Sequence, residues 1–301
     1  MRITNNMVTN DILSQLQQLD SQQSSLQGEV ANGLAVSQPS DNPTVFGQVV
    51  DLQYENNQLS QYSANATQAL NLANASYGGL DSLQQIYDRA SQLGTLGAGT
   101  LGSSASQDYA TELDQLIQQT VQVANSQQDG SYLYAGTAVD TPPFTTVTDP
   151  TSGEITSVTY AGNSSQASIP LSATSSVAPG TSGATNSGIA DFINQMIALR
   201  GALQSGDSSS IDTATSNLAS SEDVITSAVA DNGAVQARIQ AEQTQTQSRT
   251  DEITSLISGD ADTNLSSTIV QLNQAQLAYQ AALQTAASVM HLSLLNYVQL
   301  Q

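Results

Sequence analysis

The strongest constraint in this sequence is a long C-terminal segment, residues 265–301, that contains no Asp, Glu, Lys or Arg. From Leu265 to Met290, a residue pattern that is mostly apolar repeats with alternating spacings of four and three. This heptad spacing is typical of a helix that packs along another helix. Exposed helices usually carry charges on their outer face, so a long helix without charges is expected to be surrounded by protein on most sides.

A second seam of the same kind lies at the other end of the chain. It consists of Ile12, Leu16, Leu19, Gln23, Leu26 and Val30, and it stops at Gly33, which suits the residue just after a helix. The two seams predict coiled-coil packing of the terminal helices. The alternative is that they are two amphipathic helices of an ordinary helical bundle.

Composition excludes several classes of function. The net charge is −21, with 26 acidic residues against five Arg and no Lys. Such a surface repels nucleic acids, and no basic cluster is present to bind them or an anionic membrane. The chain has no Cys, which excludes disulfides and thiolate metal sites. The first residues contain no apolar run, so no cleavable secretory signal is expected, and no apolar run approaches the ~18 residues of a membrane helix.

Between the terminal seams, the spacing of apolar and small residues predicts further helices. One long helix is expected over 45–90, and the Gly-rich run at 94–106 breaks the pattern. Shorter helices are predicted over 109–123 and 189–203. The longest seam covers 211–256, and a continuous helix there would be about 70 Å long.

Residues 140–186 differ from the rest because they are rich in Ser, Thr and Pro. The run "PFTTVTDPTSGEITSVTYAG" predicts a β-hairpin, and we expect this insertion to be separable from the helices. The predicted fold is mainly α: an elongated multi-helix rod with coiled-coil terminal helices and a small β insertion domain at the tip. Its three parts are a terminal assembly domain (1–40 plus 265–301), a helical rod domain (41–139 plus 187–264) and the insertion (140–186).

The sequence offers no catalytic, metal or cofactor site. The only His, His291, lies among apolar residues without a second His or a Cys, so we interpret it as a packing residue. The run "DADTN", from Asp260 to Asn264, resembles the start of an EF-hand loop, but Leu265 and Gln271 stand where Gly and Glu are needed. We interpret this run as a break between two helices, where Asn264 or a neighbour caps the second one.

Several stretches, in this order along the chain, also carry a family resemblance. They are "MRITNNM" at 1–7, "GLAVSQPSDNP" at 33–43, "QYSANATQALNLA" at 61–73, "DRASQLG" at 88–94, "ANSQQDGSYLYAGTAVDTPPF" at 124–144 and "QAALQTAASVMHLSLLNY" at 280–297. Together they resemble the bacterial flagellin superfamily and, within it, the hook–filament junction proteins (hook-associated protein type 3). The proline-bounded run at 39–43 is similar to that of the junction proteins, whereas filament flagellins typically have a "DDAAG"-like run there.

The resemblance implies a secreted, non-enzymatic structural protein of the extracellular flagellum, exported unfolded by the flagellar type III apparatus. It would form a ring at the hook–filament junction and seed the filament; the alternative is filament flagellin itself. Implied partners are copies of itself, the adjacent hook-associated junction protein, filament flagellin and a flagellar export chaperone at the C-terminal region, with no nucleic acid, membrane or cofactor. A coiled-coil surface adhesin would instead require a signal peptide or an anchor. The residues expected to carry subunit assembly are Ile12, Leu16, Leu19, Leu26, Leu272, Leu283, Met290, Leu294 and Tyr297.

Overall fold

The computed structural model describes the backbone of residues 5–99 and 103–298, and side chains are described for most of them. The protein is mainly helical, with long paired helices. The helices are α1 (Asn5–Asn32), α2 (Pro43–Ala98), α3 (Ser103–Ala124), α4 (Gly183–Ser205), α5 (Ser208–Ala219), α6 (Glu222–Ala261) and α7 (Leu265–Val298). The predicted mainly helical fold is therefore confirmed.

Six short strands lie between α3 and α4 and form three antiparallel pairs. The pairs are β1 (Gln127–Gln128) with β2 (Ser131–Tyr132), β3 (Phe144–Thr148) with β4 (Ile155–Tyr160), and β5 (Ile169–Pro170) with β6 (Ser176–Val177). The β3–β4 pair confirms the predicted hairpin. The β1–β2 pair was not predicted, although Asp129 and Gly130 both have positive φ, as a two-residue type I′ turn requires.

The described chain divides into two compact units. One contains the residues up to Gln58 together with those from Arg249 onward, and therefore includes α1 and α7. The other, Leu59–Ser248, holds the larger hydrophobic core. Within that core, apolar side chains of α4 pack against α2, α3, α5, α6 and the β3–β4 hairpin. Its fully buried side chains include Ile189, Phe192, Ile193, Met196 and Leu199.

The seam over 211–256 is not one continuous helix, because the chain turns at Ser220. The Ser220 amide and hydroxyl both donate to the Asn217 carbonyl oxygen, at 3.1 and 2.6 Å, so the last turn tightens and α5 ends. Nevertheless, Leu218, Ser221 and Ile225 are all buried. The apolar spacing therefore continues across the break between α5 and α6, and it does not predict that break.

The β3–β4 hairpin shares its core with the helices. Phe144, Ile155 and Val158 are buried in the same cluster as the α4 side chains. The Arg200 guanidinium of α4, itself buried, donates to the Ile155 carbonyl oxygen at 2.8 Å. Removal of the insertion would take these three apolar side chains out of the shared core, and its separability from the helices stays a prediction.

Candidate subunit-assembly surface

Helices α1 and α7 pack against each other within one compact unit. Their ends are joined by backbone bonds: Leu34 forms an antiparallel bridge with Asp262, and the Thr263 amide donates to the Gly33 carbonyl oxygen at 2.9 Å. The Ala35 amide donates to the Ala261 carbonyl oxygen at 2.6 Å. The C-terminal end of α1 therefore lies beside the N-terminal end of α7, and the two helices run antiparallel.

Local chemistry fixes the two helix ends that meet here. Gly33 has a φ of 74°, and its amide donates to the Glu29 carbonyl oxygen at 2.9 Å, which confirms the predicted C-terminal cap. Asn264 accepts a hydrogen bond from the Ser267 amide at 3.3 Å through its side chain. The interpretation of "DADTN" as a helix break with an Asn cap is thereby confirmed.

The predicted seam of α1 faces α7. Leu26 is buried at 6% exposure, and Ile12, Leu16 and Leu19 are half-buried. The spacing of the sequence thus identified the packed side of this helix.

The packed side of α7 is rotated from the predicted seam. Ala275 is buried beside the predicted Gln276, which is half-buried, and Ala282 is half-buried next to the predicted Leu283, which is exposed. Leu272, Tyr279 and Ala286 are buried or half-buried as predicted. Among the described side chains of α7, the buried and half-buried ones are Thr268, Leu272, Ala275, Gln276, Tyr279, Ala282, Ala286 and Val289.

Several of the larger aliphatic side chains of α7 remain exposed. We call them the aliphatic stripe: Leu265, Ile269, Val270, Leu277 and Leu283, which are between 44% and 67% exposed. At 100° per residue these five side chains lie on one side of the helix. Exposed aliphatic side chains grouped on an uncharged helix indicate a surface that another protein covers.

Among the predicted assembly residues, the structure brings together Ile12, Leu16, Leu19, Leu26 and Leu272 at the α1–α7 contact and leaves Leu283 in the aliphatic stripe. Met290, Leu294 and Tyr297 lie outside the residues whose side chains the structure describes. Sequence reasoning missed Val270 and Leu277, since neither belongs to the heptad seam. Their seven-residue spacing was the signal that could have revealed them.

The proline-bounded loop before α2 is ordered by one carboxylate. One oxygen of Asp41 accepts hydrogen bonds from the Ser37 and Gln38 amides, at 3.0 and 2.9 Å. These amide donors lower the pKa of Asp41 below its ordinary value. Asn42 then caps α2 by accepting from the Val45 amide at 3.3 Å, and Pro43 occupies the first helical position.

A charged contact joins α2 and α6 in the same unit. Arg249 donates to both carboxylate oxygens of Glu55, at 2.8 and 3.2 Å, and to Glu252 at 2.7 Å. The two carboxylates raise the pKa of the Arg249 guanidinium. One arginine in the polar part of the 211–256 seam is therefore bound within the chain.

Within the described part of the chain, no three His, Cys, Asp or Glu side chains lie close enough together to hold a metal ion. None of the described helices contains an apolar stretch long enough to cross a membrane.

Comparison with known proteins extends the sequence resemblance. The model of the bacterial flagellin N-terminal helical region matches residues 3–139. Flagellar hook-associated protein 3 of Salmonella typhimurium is 28% identical over 161 residues, which are 53% of this chain and 51% of that protein. The match therefore spans about half the length of this curated relative.

Two solved structures share the fold. A protein of Vibrio parahaemolyticus, described as a flagellar hook-associated protein, superposes with a TM-score of 0.65 at 17% identity, over 74% of this chain and 100% of that one. FlgL of Bacillus cereus superposes with a TM-score of 0.58 at 19% identity, over 69% of this chain and 98% of that one. The resemblance inferred from the sequence is confirmed.

Proposed function

We propose that this chain is a member of the flagellin superfamily and a structural subunit of the bacterial flagellum at the hook–filament junction. The match of the flagellin N-terminal model to residues 3–139 and the similarity to flagellar hook-associated protein 3 support this proposal. Its role is non-enzymatic and extracellular. Copies of the chain form a ring between the adjacent hook-associated junction protein and filament flagellin, and the ring seeds the filament. A flagellar export chaperone holds the C-terminal region before secretion.

The observation that carries this proposal is the aliphatic stripe of α7. A monomer that exposes Ile269 and Leu277 to water forgoes the roughly 1.5–3 kcal/mol that burying each large aliphatic side chain contributes. The absence of charge on 265–301 allows identical helices to approach one another without repulsion, although the whole chain carries −21. Both features favour a helix that packs against further subunits.

The experiment is complementation of a strain that lacks this protein. Hooks without filaments in the deletion strain, restored by the wild-type chain, are expected for a junction protein. Electron microscopy of the purified chain distinguishes the alternative: filament flagellin grows into long filaments alone, whereas a junction protein does not. Filaments on the deletion strain, or long filaments of the purified chain, would contradict the proposal.

A further inference from the structure

Within the residues that the structure describes, no third strand pairs with the β3–β4 hairpin, so each of its strands has an outer edge. Its β3 strand, "FTTVT", is uncharged and rich in β-branched residues, and Thr145–Thr148 are all exposed. An exposed edge of this composition is a template to which a strand of another molecule can pair. Identical subunits packed side by side would bring such edges together at high local concentration.

Asn194 of α4 occupies the outer edge of β4. Its side-chain oxygen accepts from the Val158 amide at 2.9 Å, and its side-chain nitrogen donates to the Val158 carbonyl oxygen at 2.9 Å. These are the two bonds that an added strand would make at this residue. Since Val158 points both backbone groups away from β3, its register partner Thr146 also points its groups outward.

Asn125, which follows α3, makes two equivalent hydrogen bonds on the outer edge of β3. It accepts from the Phe144 amide at 3.0 Å and donates to the Phe144 carbonyl oxygen at 2.9 Å. The register then shifts after Val147, so that Thr148 lies opposite Ile155 and Thr156 is an extra residue. Such a bulge twists a strand and interrupts its ladder.

Each outer edge is therefore occupied at one residue by a side-chain amide. On β3, Thr146 and Thr148 face outward beyond the Asn125 contact, and the extra residue of the bulge lies on β4. On β4, the Asn194 contact lies in the middle of the strand. The flanking residues add to this effect, because Pro143 precedes the uncharged run and Asp149 follows it.

We propose that the side chains of Asn125 and Asn194 each take the place of one residue of an added strand. They thereby prevent the hairpin from pairing with neighbouring copies. This goes beyond the junction role. Whatever the chain assembles into, the device keeps the hairpin edges out of the contacts between copies and leaves those contacts to other surfaces.

The test uses the full chain with Asn125→Ala and Asn194→Ala, singly and together. Asn217→Ala is the control, since that side chain is exposed on α5. The double variant is expected to form dimers and larger species in sedimentation velocity at concentrations where wild type and Asn217→Ala do not. The Val158 amide should exchange roughly five- to tenfold faster in the Asn194→Ala variant, as expected for a lost hydrogen bond.

A third change separates edge pairing from simple unfolding. Thr146→Lys places a charge on the open edge, and edge charges block strand addition. Added to the double variant, it is expected to restore the wild-type sedimentation profile without restoring the Asn contacts. A double variant that remains as wild type, or one whose association persists with Thr146→Lys, would overturn the proposal.

Discussion

The Tyr134 hydroxyl donates a hydrogen bond to the Ser76 carbonyl oxygen at 2.9 Å, in space that Gly79 leaves open on α2. A Cβ atom at Gly79 would lie 2.1 Å from the Tyr134 oxygen. Tyr134 itself is fully buried, and burial raises the pKa of its hydroxyl. The "YLYAGT" run of the sequence is thereby fastened to the middle of the long helix, and the helical glycine has a packing role.

Gly79→Ala is expected to destabilise the protein by about 1–3 kcal/mol, because the Tyr134 side chain has to move. The neighbouring Gly78 is the matched control, since among the described residues no atom outside the adjacent backbone of α2 lies within 4 Å of a Cβ placed there. Gly78→Ala should stabilise the helix by up to about 1 kcal/mol through propensity alone. Urea unfolding of both variants measures the difference. Equal effects of the two substitutions would show that Tyr134 does not depend on the space at Gly79.

The buried Arg200 links three elements of the larger unit. It forms an ion pair with Asp114 of α3 and donates to the Ile155 carbonyl oxygen of β4, and its side chain is 5% exposed. Arg200→Ala leaves the half-buried Asp114 carboxylate and the carbonyl oxygen of the buried Ile155 without this partner, so a loss of about 1–3 kcal/mol is expected.

Arg89→Ala is the control for that change. Its pair with Glu112 is exposed to solvent and is expected to matter by less than about 1 kcal/mol. Thermal unfolding of the two variants gives the comparison. Similar melting temperatures for both variants would mean that the contacts of Arg200 do not hold the hairpin against the helices.

Stability is expected to fall in alkali because of Tyr87. Burial and a 3.0 Å hydrogen bond to Glu222 raise the pKa of Tyr87 to about 12, from 10.0 in the unfolded chain. The folded state therefore favours the neutral phenol. This contribution is fully present below pH 10 and is lost as the pH rises toward 12.

Urea unfolding at pH 8 and at pH 11 measures this loss. In Tyr87→Phe the difference between the two pH values should be smaller than in wild type. Tyr54→Phe, at a side chain that is 66% exposed, is the matched control. If the difference is unchanged in Tyr87→Phe, another group carries the alkaline sensitivity.

Periodicity predicted the helices well, because a packed helix face needs apolar or small residues at regular intervals. It could not decide which flank of α7 faces α1, since Ala275 and Gln276 both continue a heptad from Leu272. In the structure Ala275 is buried and Gln276 is half-buried, and Ile269 lies in the aliphatic stripe. The Asn194–Val158 contact joins residues 36 apart in the chain, and no local pattern predicts such a pair.

Charge substitutions in the aliphatic stripe test the proposed contact between α7 and a further subunit. Ile269→Glu with Leu277→Glu places two charges in the stripe. The control, Gln271→Glu with Ala278→Glu, also introduces two glutamates, at exposed positions on another side of α7. Neither pair should change monomer stability by more than about 1 kcal/mol, because the replaced positions are exposed.

The decisive measurement is filament formation, scored by electron microscopy, in a deletion strain that expresses each variant at equal secreted levels. We expect filaments with the Gln271 and Ala278 substitutions, and hooks without filaments with the Ile269 and Leu277 substitutions. Normal filaments with charges at both Ile269 and Leu277 would contradict the assignment of the stripe as the subunit contact.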